Sequence, residues 1–186
     1  MTATDEELMS AYADGAEAAL GELFRRYAPI LVRLVARHIG RAADADDIVQ
    51  QTFLQLHRSR RDFRREMRFR PWIVTIALNL ARDLLRRRGR HPETSVEEER
   101  LPQPHVAEPD SQRGDELCLR VRTALSGLPC EQREVIELHW FAELSFDEVA
   151  KVVGVTPGAA RVRAHRGYVA LRRCLGSGVS EALSVL

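Results

Sequence analysis

Three clusters of residues have types and spacings that could do chemistry. The first is Asp44-Ala-Asp-Asp-Ile-Val-Gln-Gln-Thr-Phe53, with three carboxylates in four residues. Grouped acids suit metal binding or proton transfer, but both need a further ligand or base, and no His or Glu follows at a fitting spacing. Acids in the first turn of a helix favour its dipole instead. The cluster therefore reads as a helix cap followed by an exposed polar stripe, Asp47, Gln50, Gln51 and Leu54, suited to a partner protein.

The second cluster runs from Arg58 to Arg70. It holds seven arginines and two rings, including Arg61, Phe63, Arg64, Arg65 and Phe69. Trp72, Asn79, Asp83 and Arg86 follow at steps of seven, four and three, with Arg82 beside them, so one helical face carries an aromatic, an amide and charges. Rings stack on unpaired bases while guanidiniums hold phosphates, which suits opened nucleic acid. The alternative places Trp72 and both phenylalanines in a core and leaves the arginines solvated.

The third cluster is Leu144–Arg173. Ser145 and Glu148 form a capping box, Gly154 ends that helix, Thr156 caps the next, and Pro157 starts it. A short helix, a glycine turn and a capped second helix predict a helix-turn-helix. The second helix carries Arg161, Arg163, His165 and Arg166 near its start, where such helices meet base edges and phosphates. Ala160, Ala164, Gly167 and Leu171 lie opposite and can pack against the first helix. An ordinary helical corner with a solvated basic face is the alternative. Cys118, Cys130 and Cys174 show no metal-ligand spacing and read as reduced, half-buried thiols. No catalytic residue, metal or cofactor is expected.

The elements that must position these residues are helical throughout, so an all-α fold is predicted. Leu20, Leu23, Phe24, Tyr27, Leu31 and Leu34 share one helix face, which Pro29 should kink or split. A helix with Ile48, Val49, Phe53 and Leu56 inward follows, then an arginine-rich loop. Pro71 is expected to open the next helix, which carries Trp72, Ile73, Ile76, Leu80 and Leu84. Leu117, Val121 and Leu125, then Val135, Ile136 and Leu138, begin a second helical block.

Charge divides the same way. Residues 1–24 hold six acids and no base; residues 25–90 hold seventeen arginines against six acids, a net of +11. Residues 91–118 reverse to −6, with eight acids against two arginines, and the chain from Thr156 onward returns to +4. Two basic surfaces around an acidic connector fit a nucleic-acid binder, whereas a net charge of +1 conceals them. An arginine-rich composition, with Lys151 the sole lysine, explains the excess but not its clustering. The expected organisation is a helical domain at 1–90, a Pro-rich acidic linker at 91–114, a helix-turn-helix domain at 115–176 and a tail at 177–186. No apolar run is long enough to span or insert in a membrane, and a cytoplasmic location is expected.

These three segments, in this order around this linker, resemble the extracytoplasmic-function (ECF) group of bacterial sigma factors over about residues 17 to 175. DADDIVQQTFLQL is similar to the group's polymerase-clamp-binding helix, and FRPWIVTIALNLARDLLRRRGR to its promoter-melting helix. LPCEQREVIELHWFAELSFDEVAKVVGVTPGAARVRAHRGYVALRR is similar to its C-terminal helix-turn-helix. The resemblance implies a subunit that directs core RNA polymerase to promoters and performs no chemistry itself. It assigns Asp47, Gln50, Gln51 and Leu54 to polymerase. Arg61, Phe63, Arg64, Arg65, Phe69, Trp72, Asn79, Arg82 and Arg86 go to opening the −10 element. Thr156, Arg161, Arg163, His165 and Arg166 go to reading the −35 element. Core RNA polymerase, promoter DNA and an anti-sigma factor are the implied partners. A linker of roughly 26 residues reaches about 85 Å extended, enough to hold both elements at once. Gln51 replaces the usual Glu, Ala159 and Val162 replace Thr and Ser, and Ala160 and Ala164 are smaller than the usual Val and Leu.

Overall fold

Eight helices make up the regular structure of the described residues, 3–64, 66–90 and 120–175 of a computed structural model. The expected linker and tail, Arg65, Leu117 and Cys118 lie outside those residues. The chain divides into two compact units, Met1–Pro104 and His105–Leu186.

Helix α1 (Asp5–Ala13) opens the first unit and has no counterpart in the sequence expectations. It is started by a capping box: the Glu7 N–H donates to Thr4 Oγ1 (3.2 Å), and the Thr4 N–H donates to the Glu7 carboxylate (2.7 Å). Met9 and Tyr12 are its buried residues. Helix α2 (Glu17–Ile39) buries Leu23, Tyr27, Leu31, Leu34 and Val35, and ends at Gly40 in the left-handed region (φ 73°). Pro29 does not split it. Both Pro29 and Arg25, whose carbonyl would have taken the missing N–H, are exposed, so the lost bond faces water. Phe24 departs from the expected buried face; it is 46 % exposed and rests on the Phe53 ring at 4.8 Å.

Helix α3 (Ala43–Arg58) buries Ala45, Ile48, Val49, Thr52, Phe53 and Leu56. Asp44 and Asp46 lie inside the first turn, and no side chain caps the helix, because the cap position is Ala42. Asp44 instead ties neighbours together, pairing with Arg41 (3.5 Å) and with Arg88 (2.9 Å). Helix α4 (Phe69–Arg90) begins two residues before Pro71. The reason lies far away in sequence: the Glu6 carboxylate of α1 accepts from the Phe69 N–H at 3.1 Å and thereby satisfies a helix-start donor. Phe69, Ile73, Val74, Ala77, Leu78 and Ala81 face the core, whereas Ile76, Leu80 and Leu84 are half-buried.

A polar network locks α1 onto this core. The Tyr27 hydroxyl donates to Asp5, Arg26 pairs with Asp5 (2.7 Å) and Glu22 (2.7 Å), and the Arg70 guanidinium lies over the Tyr27 ring at 5.8 Å. Burial, with help from the Asp5 carboxylate, pushes the Tyr27 phenol pKa well up.

In the second unit, helix α5 is described over residues 120–126, followed by α6 (Cys130–Phe141), α7 (Phe146–Val153) and α8 (Pro157–Leu175). Leu125, Leu128, Ile136, Leu171 and Leu175 form a shared core, with Val121, Trp140 and Tyr168 packed against it. The Trp140 indole N–H donates to the Tyr168 hydroxyl (2.7 Å). The close approach of α8 to α6 at Gly167 would place an added Cβ 2.5 Å from Ile136 Cδ1, so that terminal methyl would have to shift. Cys130 and Cys174 are exposed, contrary to the half-buried expectation.

Candidate functional site

On α3 the buried positions fix what remains outside. At about 100° per residue, Asp47, Gln50, Gln51 and Leu54 lie opposite the Ala45–Val49–Leu56 line. All four are exposed, Leu54 by 57 %. Beside this stripe a groove of about 150 Å³ runs between α3 and α4, with Asp47, Gln51, Asp83 and Arg87 on its walls.

The α4 face follows the same rule. Asn79 lies opposite the buried Ile73–Ala77–Ala81 line and is exposed, with Trp72, Arg82 and Arg86 on the same outward side. Arg82 donates to Asn79 Oδ1 (3.3 Å), and Arg86 pairs with Asp83. Arg61 and Arg64 are exposed in the segment between α3 and α4. The two phenylalanines require a correction. Phe69 is fully buried and Phe63 is only 9 % exposed, and they join Tyr27 and Trp72 in one aromatic cluster with centroids 5.0 to 6.2 Å apart. Neither ring can present a face to a base from there, so both belong to the core. Trp72 is half-buried, at 5.3 Å from Phe63.

The α7–α8 pair has the caps expected of it. Ser145 Oγ accepts from the Glu148 N–H (3.3 Å), the Glu148 carboxylate accepts from the Ser145 N–H (2.8 Å), and Gly154 ends α7 at φ 73°. Thr156 Oγ1 accepts from the Ala159 N–H (3.2 Å), which leaves its O–H free to point outward. Ala160, Ala164, Gly167 and Leu171 are buried, on a helix that packs against both α6 and α7. The basic residues then separate by direction. Arg161 and Arg163 project to opposite flanks of α8, where Arg161 pairs with Asp147 of α7 (3.1 Å) and Arg163 with Glu131 of α6 (2.9 Å). His165 and Arg166 stand on the exposed outer side. At its centre is Val162, 49 % exposed, which the sequence reading noted only as a departure. Its position was legible, since it falls midway between the buried Ala160 and Ala164.

Among the described residues, no group of three His, Cys, Asp or Glu side chains could hold a metal ion. None of the described helices is long and apolar enough to cross a membrane.

Known proteins share both the sequence and this arrangement. Residues 23–91 match sigma-70 region 2, and residues 118–171 match sigma-70 region 4. RNA polymerase sigma factor CarQ of Myxococcus xanthus is 40 % identical over 168 residues, covering 90 % of this chain and 95 % of CarQ. The ECF sigma factor SigM of Mycobacterium tuberculosis is 34 % identical over 173 residues, covering 93 % of this chain and 85 % of SigM. Among solved structures, CnrH in complex with the cytosolic domain of CnrY superposes with a TM-score of 0.68 at 29 % identity, over 92 % of this chain and 96 % of that one. The sigma factor RpoE of Bartonella quintana, solved with the anti-sigma factor NepR, shares the fold at a TM-score of 0.67 and 23 % identity, over 83 % and 95 %. With two sigma regions in order, the first holding the α3 and α4 faces and the second the α8 face, the chain belongs to the ECF group of RNA polymerase sigma factors.

Proposed function

We propose that this sigma factor divides its work among three outward helix faces. Membership of the family makes it a promoter-specific initiation factor for RNA polymerase and not an enzyme. The finer reading gives residues 1–90 to polymerase and the −10 element, residues 115–176 to the −35 element, and residues 91–114 to the connection between them. In it, Asp47, Gln50, Gln51 and Leu54 dock on core polymerase. Arg61, Arg64, Arg65 and Arg82 hold the displaced backbone, while Trp72, Asn79 and Arg86 meet opened bases. Thr156, Arg161 and Arg163 clamp phosphates, and His165 and Arg166 meet base edges.

The observation that carries this division is the geometry of α8. Its flanking arginines are held sideways by Asp147 and Glu131, while His165 and Arg166 stand on the side farthest from the buried Ala160–Ala164–Gly167 line. A helix seated in a major groove places its flanks near the two phosphate backbones and its outer face near the bases. The site of action follows that of the polymerase, in the cytoplasm. An anti-sigma partner is proposed on the strength of the CnrH complex, in which a second protein's cytosolic domain is bound to a relative.

Holoenzyme assembled from core polymerase and the full chain, challenged with a promoter-length duplex pool randomised over its upstream element, tests the reading. The wild type should enrich one upstream sequence. Arg166→Ala should relax preference at a single position, by about 1–3 kcal/mol, while Arg163→Ala should weaken all sequences alike. Absence of any enrichment overturns the assignment of α8 as reader.

A further inference from the structure

The outer face of α8 is not uniformly polar. Val162 sits at its centre, roughly opposite the midline of the buried Ala160, Ala164, Gly167 and Leu171 at about 100° per residue. It is 49 % exposed. One turn back is Gly158, where an added Cβ would meet nothing within 4 Å, so the approach to Val162 is open. One turn forward are the exposed His165 and Arg166, and to the side is Arg161. A branched apolar side chain beside Arg161, His165 and Arg166, on a face that the described residues leave exposed and that carries Val169 two turns further on, suits a ligand that is anionic overall but offers an apolar group at that point.

Duplex DNA meets both conditions. Its phosphates supply the charge, and the C5-methyl of thymine is the apolar group that the major groove displays. We propose that Val162 is a specificity-determining residue that reads one thymine of the upstream element through its methyl group. This rests on the reading of α8 given above and adds to it a contact made without any hydrogen bond. His165 and Arg166, one turn along, would then read the neighbouring bases by hydrogen bonding.

Uracil pairs as thymine does but lacks the methyl, which allows a single-atom-group test. The duplex enriched by wild-type holoenzyme is resynthesised with uracil replacing each upstream thymine in turn, and binding is measured by competition. One replacement should weaken the wild type about fourfold, the amount expected for one buried methyl group. Val162→Ser holoenzyme should bind the thymine and uracil forms of that duplex equally. At 49 % exposure, Val162 can be replaced by serine without opening the core. A wild type indifferent to every replacement overturns the assignment, as does a serine variant that keeps the wild-type ratio. These outcomes differ from failure of the α8 reading, in which no sequence would be enriched at all.

Discussion

Replacing Gly167 by alanine sets two effects of similar size against each other, and the structure decides between them. Ala for Gly inside a helix ordinarily gains about 1 kcal/mol. Here the new Cβ would lie 2.5 Å from Ile136 Cδ1, well inside contact distance. Ile136 is 3 % exposed within the core shared by α5, α6 and α8, so its terminal methyl has little room to turn away. Overpacking of this kind costs about 1–3 kcal/mol, so Gly167→Ala should lower the stability of the second unit by about 1 kcal/mol net. The next contacts, Gln132 Cβ at 3.4 Å and Ile136 Cγ1 at 3.6 Å, are ordinary van der Waals distances. Ile136→Val deletes only the offending methyl, at a cost of about 1 kcal/mol alone. The double variant should therefore return close to the wild type, a coupling of about 2 kcal/mol. Urea unfolding in a Trp72→Phe background isolates the signal of Trp140, whose indole is bonded to Tyr168 beside the substituted position. A single Gly167→Ala variant that is stabilised, with no coupling to Ile136→Val, would refute the close approach.

Three further outcomes are expected. Because burial raises the Tyr27 pKa in the folded chain, the unfolded chain loses that proton first as pH passes about 10. Stability of the first unit should fall above that pH, and Tyr27→Phe should flatten the fall in thermal melts; an unchanged alkaline slope would contradict it. Asp47→Ala, at an exposed position, should leave the fold intact and weaken core-polymerase binding by about fivefold, the scale of a contact worth about 1 kcal/mol; unchanged affinity would move the interface elsewhere. Asn79→Ala should reduce strand opening on duplex promoters and be partly rescued by a pre-melted bubble, as read by permanganate footprinting. Full opening by this variant on duplex DNA would remove Asn79 from the melting face.

The sequence revealed the parts of this molecule governed by local rules. The α7 capping box, the Gly154 stop and the Thr156 cap are set by contacts three or four residues apart, and the α3 stripe follows from helical period alone. Longer-range contacts decided what was misread. Helix α1 has the T-x-x-E signature at Thr4 and Glu7, but with only Met9 and Tyr12 buried it shows no apolar stripe. The start of α4 at Phe69 depends on Glu6, and composition around Pro71 could not disclose that. Phe63 and Phe69 look the same in sequence whether they stack on bases or on each other. In the fold Tyr27, arriving from α2, packs on Phe69, and Phe63 packs on Phe69 and Trp72 beside it. The arginines of α8 were visible as a group, whereas their sorting into flanks and outer face depends on acids contributed by α6 and α7.

The bond from the Phe69 N–H to Glu6 joins positions 63 residues apart, and it gives the first unit an order of assembly during synthesis. At about 5–20 residues per second, roughly 3 to 13 seconds separate the emergence of Glu6 from that of Phe69. A nine-residue helix is too short to persist alone in water, so α1 must wait on the nascent chain for the partners that hold it. Arg26 and Tyr27 emerge early enough to receive Asp5, but the final closure waits for α4. A nascent chain whose emerged part ends shortly before position 69 would thus present α2 and α3 with their inner surfaces uncovered. Emergence of the last turn of α4 completes a unit able to close, before α8 has emerged.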